Sequence, residues 1–353
     1  MAETEIKSTQ ERCLSCGGNV KFSPEEKALK CVFCGSLEKI DFTNNNVKHN
    51  YEVEEEDKKE YANFAKNNKV FKCKSCGAQV VLNKLEVSKV CPYCLSPCAI
   101  DSSEKIGLKP DSIIPFKFSQ NKASVLFKQG LKKKWFIPNK FKKSPPIDKI
   151  KGVYVPCFSF DAKSSTTYFG ELAKQTTSVR NGKTHTHTRH FRISGTKDLV
   201  HQNVLVETSS HLDQKVFNSI KPYNIGELVD FKTDFIMGYS VEHYDQALEN
   251  CKQIADNMIK ESIKNTILSK YDYTYVVSYN QQTKFSDELY SYYILPTYQV
   301  NYTYKNKNYT TFMNGQTGKV GSGLPKSAIK ITFFSLFVAL IIIGILILFF
   351  VTD

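Results

Sequence analysis

The sequence has 353 residues, a formal net charge of +13, 41% hydrophobic residues and 24% charged residues. This composition is typical of a globular protein and not of a disordered chain, and the length accommodates about two or three domains. The positive charge is local, because residues 105–151 contain thirteen Lys against two acidic residues, whereas residues 1–60 contain nine Lys or Arg against thirteen Asp or Glu.

Two cysteine-bearing stretches lie sixty residues apart and align without a gap. They are CLSCGGNVKFSPEEKALKCVFCGS at 13–36 and CKSCGAQVVLNKLEVSKVCPYCLS at 73–96. In each, fourteen residues separate two C-x2-C pairs, a spacing that lets two tight turns place four thiolates around one ion. The sequence therefore predicts two zinc ribbons, at 1–40 and 71–100, each with one structural Zn²⁺. The predicted ligands are Cys13, Cys16, Cys31, Cys34, Cys73, Cys76, Cys91 and Cys94.

The CPYC sequence at Cys91 and Cys94 is also typical of glutaredoxin-type redox sites, so a thiol oxidoreductase is an alternative. That fold needs a helix starting at the first cysteine, whereas Pro97 ends regular structure almost at once. The zinc interpretation is therefore favoured. The neighbouring Cys98 has three interpretations: a spare thiol, an exchangeable ligand or a small buried residue.

Residues 41–70, between the ribbons, are rich in Asn and acidic side chains and predict a solvated linker. From about Ile113 the pattern changes to strands that alternate with amphipathic helices. An α+β domain is therefore predicted over 105–325, beginning with a short strand in SIIPFKF.

Two helices are predicted in this domain. The first, over 121–136, places Leu126 or Phe127, Leu131 and Trp135 on one apolar stripe, with lysines around the rest. The second, over 242–268, keeps apolar residues at helical spacing and includes Cys251, which indicates a core position for this thiol.

Two aromatic-rich stretches, at 153–171 and 293–315, each begin with apolar residues and a proline and continue as alternating aromatic and polar residues. Each predicts a bent hairpin with its proline at the start of the strand. The predicted fold class is therefore α+β, with two four-cysteine zinc ribbons, a mixed α+β domain that has an antiparallel sheet and two related hairpin halves, and one C-terminal transmembrane helix.

A lysine-rich segment interleaved with Trp135, Phe136 and Phe141 predicts an anionic-surface contact. Such a segment suits anionic lipid headgroups, a solvated helix face or, less favoured here, nucleic acid. His185 and His187 lie on one face of a predicted strand, where two imidazoles could bind metal, although an exposed hairpin is the favoured interpretation. The lysines concerned are Lys128, Lys132, Lys133, Lys134, Lys140, Lys142 and Lys143.

Residues 331–351 are uncharged and predict a transmembrane helix of roughly 31 Å, which matches the hydrocarbon thickness of a bilayer. Lys319, Lys326 and Lys330 precede this span, so the positive-inside rule predicts a single-pass, tail-anchored protein with residues 1–330 facing the cytosol. The first residues show no apolar signal segment. In a reducing cytosol the cysteines are expected to bind metal and not to form disulfides.

The segments IIPFKF, LKKKWFIPNKFKK, GVYVPCFSFDA, RHFRISG and ILPTYQVNYTYKNKNYTTFMNGQTGKV, in this order, resemble the prokaryote-type TFIIB-like zinc-ribbon proteins. These proteins are often named automatically as primosomal protein N′ or replication-restart helicase. The resemblance covers roughly residues 71–322 and implies a ribbon followed by an α+β domain, with no settled activity. Cys157 departs from the pattern, since relatives tend to have an aromatic residue there.

No residues in catalytic arrangement are found in the sequence, and it has no G-x4-G-K-[ST] phosphate loop. The function expected from these observations is a non-catalytic, membrane-anchored adaptor that binds a protein partner through its ribbons and α+β domain. A membrane-tethered nucleic-acid-binding protein that uses the 128–143 segment is the first alternative. The oxidoreductase at Cys91 and Cys94 is the second.

Overall fold

The computed structural model describes residues 12–51, 68–73, 79–83, 88–90, 97–99, 108–145, 147–180, 183–209 and 212–351. The predicted α+β class is confirmed: the chain has helices, a mixed sheet, a four-cysteine cluster and an apolar C-terminal helix. It divides into two compact units. Unit 1 comprises Met1–Ser159, Leu205–Cys251 and Tyr290–Pro325, and unit 2 comprises Phe160–Val204, Lys252–Leu289 and Lys326–Asp353.

The first three strands form a small antiparallel sheet in unit 1. They are β1 (Val20–Ser23), β2 (Ala28–Cys31) and β3 (Leu37–Lys39). In β1, buried Val20 and Phe22 alternate with exposed Lys21, because successive side chains of a strand point to opposite faces.

Four short strands follow. They are β4 (Asn68–Lys72), β5 (Gln79–Asn83), β6 (Ser88–Val90) and β7 (Pro97–Ala99). The first two pair antiparallel within a nine-stranded sheet, and the last two form a separate two-stranded sheet.

The remaining strands complete the nine-stranded sheet. They are β8 (Ser112–Ile113), β9 (Ile147–Arg180), β10 (Lys183–Glu207), β11 (Val229–Asp230), β12 (Ser240–Glu242), β13 (Tyr275–Tyr304) and β14 (Lys307–Asn314). The order is β11-β8-β13-β9-β12-β5-β4, with β10 on β9 and β14 on β13. The sheet is mixed, since β12 runs parallel to β9 and β13 runs parallel to β8.

The hairpin predicted over 293–315 is confirmed as β13 and β14. They join through Lys305 and Asn306, whose φ angles of 52° and 59° are those of a type I′ turn. Pro296, however, lies inside β13 and not at its start.

The hairpin predicted within 153–171 is wrong. There β9 runs without a break, with Ala162, Ser164 and Thr166 buried between exposed or half-buried neighbours. The inward polar side chains are small and hydrogen-bonded: Ser164 Oγ lies 2.9 Å from His201 Nε2, and Thr166 Oγ1 lies 3.0 Å from Thr283 Oγ1. These hydrogen bonds satisfy the buried hydroxyl groups, so the strand does not need to turn there to bring them to solvent.

Five α-helices complete the described chain: α1 (Gln120–Lys132), α2 (Asn139–Lys143), α3 (Gln214–Ile220), α4 (Leu248–Leu268) and α5 (Ala328–Val351). In α1 the buried stripe is Ala123, Phe127 and Leu131, one turn apart. Trp135 lies beyond the helix end and is 68% exposed, so its predicted place in the stripe is wrong.

Helix α4 starts at Leu248 and not at 242, because residues 240–242 form β12. The segment between them is held by Thr208, whose carbonyl accepts from the N–H groups of Asp245 and Gln246. Cys251 is fully buried at the start of α4, as predicted.

The core of unit 1 combines aliphatic and aromatic side chains of strands and of α3. Its members are Ile114, Val155, Cys157, Leu205, Leu212, Phe217, Ile220, Tyr223, Leu228, Tyr293, Leu295 and Phe312. Unit 2 has a separate apolar cluster, to which α4 contributes Ile259, Ile263 and Ile267.

Helix α5 has 24 residues, about 36 Å of helix. By length and composition it could cross a membrane, and its apolar window Ala328–Ile345 has no buried residue.

Candidate metal centre

Two tight turns hold the cysteines of the first ribbon. In each, the first cysteine carbonyl accepts from a glycine N–H four residues later: Gly17 to Cys13 at 2.8 Å and Gly35 to Cys31 at 3.2 Å. Both glycines have positive φ, 72° and 75°, which is a conformation that glycine adopts without steric cost. The C-x2-C-G sequence thus builds the same turn twice.

The four sulfurs converge. Cys13, Cys16, Cys31 and Cys34 each offer a sulfur, and all four atoms lie within 4.8 Å of one another. Cys13 and Cys34 sulfurs are 3.5 Å apart, as are those of Cys16 and Cys31. In a tetrahedral site with Zn–S bonds of about 2.3 Å, sulfurs lie about 3.8 Å apart. The cluster could therefore hold one metal ion, and its soft thiolate donors suit zinc.

Nearby donors favour the thiolate form at two of these positions. Ser36 Oγ lies 2.9 Å from Cys13 Sγ and 3.2 Å from Cys34 Sγ. The hydrogen bond from Ser36 lowers the pKa of Cys13 to about 6 and also lowers the pKa of Cys34. The backbone at Gly18 lowers the pKa of Cys16, but hydrogen bonds with Cys34 and Cys31 outweigh it and raise that pKa to about 12. Metal binding would displace the proton that Cys16 retains.

Four thiolates close a tetrahedral site and leave no position for a reacting water. A metal held by all four thiolates would therefore act structurally, by stabilising a ribbon whose own apolar core is small.

The second ribbon is described only in part. Cys73 is buried, whereas Cys76, Cys91 and Cys94 lie outside the described residues. Two of its pairings nevertheless repeat those of the first ribbon sixty residues later, although β6 and β7 form a sheet of their own. The pairs Ala28↔Lys39, Leu29↔Glu38 and Lys30↔Leu37 recur as Ser88↔Ala99, Lys89↔Cys98 and Val90↔Pro97. The bridge Arg12↔Asn19 likewise recurs as Lys72↔Gln79. One difference is that Leu95 replaces the glycine found at Gly35.

The first ribbon is docked within unit 1 and is not a free module. Phe22 is 4% exposed, with its ring edge-on to Phe235 at 5.5 Å, and its N–H donates to the Met237 carbonyl at 3.0 Å. The Glu25 carboxylate accepts from the N–H of Ser119, the N-cap residue of α1, at 2.8 Å. The ribbon thus has a fixed orientation on unit 1.

The chain after the ribbon is exposed over 41–48 and at 50 and half-buried at His49, and it is tied to unit 1. Asp230 donates its N–H to the Thr43 carbonyl at 2.7 Å and accepts from the Asn45 backbone and side chain. His49 forms a bridge with Tyr290, and its Nε2 lies 2.8 Å from Asp111 Oδ1. This part of the linker is therefore ordered against the sheet.

The predicted lysines lie on α1, α2 and the loop between them. Lys128, Lys132, Lys133, Lys140 and Lys143 are exposed, and Lys134 and Lys142 are half-buried. Lys134 Nζ donates to the Gly321 carbonyl at 3.0 Å, and Lys142 Nζ to the Lys132 carbonyl at 3.3 Å.

His185 and His187 are exposed on β10, and His190 Nδ1 lies 2.9 Å from Glu171 Oε1. Within the part of the chain that the structure describes, the first ribbon is the only group of three or more His, Cys, Asp or Glu side chains that could hold a metal. The side chain of Cys98 lies outside that part.

A buried acidic cluster was missed by sequence reasoning. Glu207 and Glu242 are 2% and 1% exposed, and Ser209 joins them by donating its N–H to Glu207 at 2.7 Å and its hydroxyl to Glu242. Burial, and then the charge of Glu242, raise the pKa of Glu207 to about 10. The sequence feature that could have indicated this cluster is Glu207, the acidic residue that ends the apolar run VLVE at 204–207.

Fold and site together define an α+β protein with a four-cysteine centre and a C-terminal apolar helix. The chain is similar to the uncharacterized protein YdjG of Bacillus subtilis (strain 168), with 28% identity over 225 residues. The match covers 64% of this chain and 66% of that protein, just under two thirds of its length. No protein-family model matches the chain. No solved structure matches it.

Proposed function

We propose that this protein is a non-catalytic, tail-anchored adaptor that uses two zinc ribbons and its α+β domain to bind a protein partner. The observation that carries the proposal is the first ribbon: a closed four-cysteine centre, docked on unit 1, with large apolar side chains exposed beside the cysteines. A distant relationship to the TFIIB-like zinc-ribbon proteins is part of this proposal.

The apolar side chains lie in the two cysteine turns and in β3. Leu14 and Phe33 are 70% and 76% exposed, and Val32 and Leu37 are 50% and 52% exposed. The first ribbon has other apolar side chains buried, at Val20, Ala28 and Leu29. Exposed apolar groups on a rigid scaffold are typical of protein contact sites, because a preorganised backbone lowers the ordering cost of binding.

Zinc is proposed at both ribbons. The first has four converging sulfurs, and the second repeats its strand register at an offset of sixty residues. Purified protein should contain two zinc ions per chain. Cys16→Ser and Cys76→Ser should each lower the content to one, and a wild-type content of one would remove the second site from the proposal.

Membrane anchoring is proposed for α5, with residues 1–330 in the cytosol. Its support is the helix length, the absence of charge over 331–351 and the lysines that precede this span. The anchor predicts that the full chain resists alkaline extraction from membranes and that a chain truncated after Lys330 does not.

The partner surface is tested by placing a photo-crosslinking residue at position 33 or, as a control, at position 200. Phe33 and Val200 are both exposed, at 76% and 64%. Adducts specific to position 33 that disappear with Leu14→Ala are expected. Equal adducts at both positions, or persistence in the Leu14 variant, would contradict the surface.

A further inference from the structure

The end of α1 and the loop after it form a surface that combines positive charge with exposed aromatic rings. This surface is called the basic corner and consists of Lys128, Lys132, Lys133, Trp135 and Phe136. Trp135 is 68% exposed and Phe136 is 37% exposed. Residues 112–147 contain nine Lys and no Asp or Glu, so no acidic side chain of this segment offsets the charge.

The basic corner lies where the chain leaves unit 1 toward α5. A Cβ on Gly130 would lie 2.6 Å from Val320 Cγ2, so the chain passes directly against α1. Lys134 then donates to the Gly321 carbonyl, and Tyr302 donates to the Gly323 carbonyl, both at 3.0 Å. The chain is thus fixed beside the basic corner as far as Gly323.

The distance from this point to the apolar span is short. Four residues lie between Gly323 and Ala328, so the five steps of chain between them span at most about 18 Å when extended. Ile331 follows three residues later, about 4.5 Å along a helix. Gly323, the last residue fixed on unit 1, therefore lies within roughly 23 Å of Ile331, where the apolar span starts.

Further positive charge lies beside the basic corner, at Lys134 and Lys319. Burial, and then the positive charge of Lys319, lower the pKa of Lys134. An anionic headgroup at this surface would offset the positive charge of the lysines, and indole rings favour the headgroup region of a bilayer.

We propose that the basic corner binds anionic lipid headgroups of the membrane that α5 enters, so that unit 1 lies against the bilayer surface. The proposal rests on the membrane-anchored function proposed above. Each lysine that reaches an anionic surface increases the binding constant about fivefold. Docking of this kind weakens as salt shortens the range of the electrostatic attraction.

Trp135 is the only tryptophan of the sequence, so tryptophan emission, excited where tyrosine does not absorb, reports on the basic corner alone. The full chain is reconstituted into vesicles of phosphatidylcholine, with or without phosphatidylserine. With phosphatidylserine, the emission of Trp135 should shift to the blue, brominated lipid should quench it, and acrylamide should quench it less. High salt should reverse these changes.

The variant Lys132→Gln with Lys133→Gln should lower the equilibrium constant for docking about 25-fold, from fivefold per lysine. Its control is Lys30→Gln with Lys39→Gln, which removes two exposed charges of the first ribbon in the same unit. This control should behave as the wild type.

Three results decide against the proposal or its basis. Equal acrylamide quenching in neutral and anionic vesicles overturns lipid binding while leaving the anchor intact. A fluorescence change with single-stranded RNA, but not with phosphatidylserine, assigns the basic corner to nucleic acid. Loss of the protein from all vesicles in an alkaline wash refutes the anchor itself, which is a separate failure.

Discussion

Replacing Phe22 by alanine removes the main apolar contact between the first ribbon and the rest of unit 1. The side chain is 4% exposed and packs edge-on against Phe235 at 5.5 Å. Truncation of a buried Phe costs about 3–5 kcal/mol, and loss of the aromatic pair is included in that range. We therefore expect the free energy of unfolding to fall by about 4 kcal/mol.

The matched control is Phe33→Ala, in the same ribbon but 76% exposed, which should change the free energy of unfolding by less than about 0.5 kcal/mol. Urea unfolding of the full chain in detergent, followed by Trp135 fluorescence, measures both variants. Retention of the proposed zinc during unfolding provides a second readout. Equal effects of the two substitutions would falsify the docking of the ribbon on unit 1.

Two further predictions concern buried positions. The unfolded chain loses the Glu207 proton near pH 4.3, whereas the folded chain keeps it to about pH 10, so the free energy of unfolding falls as pH rises between these values. Glu207→Gln should remove this slope and gain about 3 kcal/mol relative to the wild type between about pH 6 and about pH 8, measured by urea titration; parallel curves would refute the proton assignment. In unit 2, Gly170→Ala would place Cβ 2.5 Å from the backbone oxygen of Ser278, so a loss of about 1–3 kcal/mol in thermal unfolding is expected. The control Gly226→Ala meets only a side-chain oxygen, at 3.3 Å, and an equal loss there would refute the clash.

The geometry of the first ribbon was predictable because its determinants are local. Each C-x2-C pair needs only a turn, and Gly17 and Gly35 supply the positive φ that completes it. The sulfur positions then follow from two turns joined by one hairpin. The same reasoning predicts the second ribbon, where strand register supports it although three of its cysteines lie outside the described residues.

Element boundaries were less predictable because they depend on non-local partners. Residues 242–247 have helical periodicity, but Glu242 lies in β12 and pairs with Val80 of β5. The Thr208 carbonyl then accepts from the N–H groups of Asp245 and Gln246, so α4 starts later. The course of β9 depends on His201 and Thr283, far away in sequence, which hydrogen-bond Ser164 and Thr166. Local patterns contain no information about such partners.

The docking of the ribbon could not be predicted at all. Phe22 and Phe33 have the same chemistry and lie eleven residues apart in one ribbon, yet one is buried and the other exposed. Strand alternation places Phe22 on the inner face of β1, but the groups it docks against, Phe235 and Met237, lie more than two hundred residues away.

The contact between Glu25 and Ser119 links the first ribbon, at the N-terminus of α1, to the helix whose other end carries the basic corner. Helix α1 has no acidic residue in its first turn and no side-chain cap of its own, so the ribbon supplies the negative charge that favours its N-terminus. If metal release from the proposed zinc site unfolds the first ribbon, that carboxylate is lost from the helix whose last turn carries Lys132. The proposed zinc site and the proposed lipid surface would then be thermodynamically linked, and each ligand would strengthen binding of the other by the same factor.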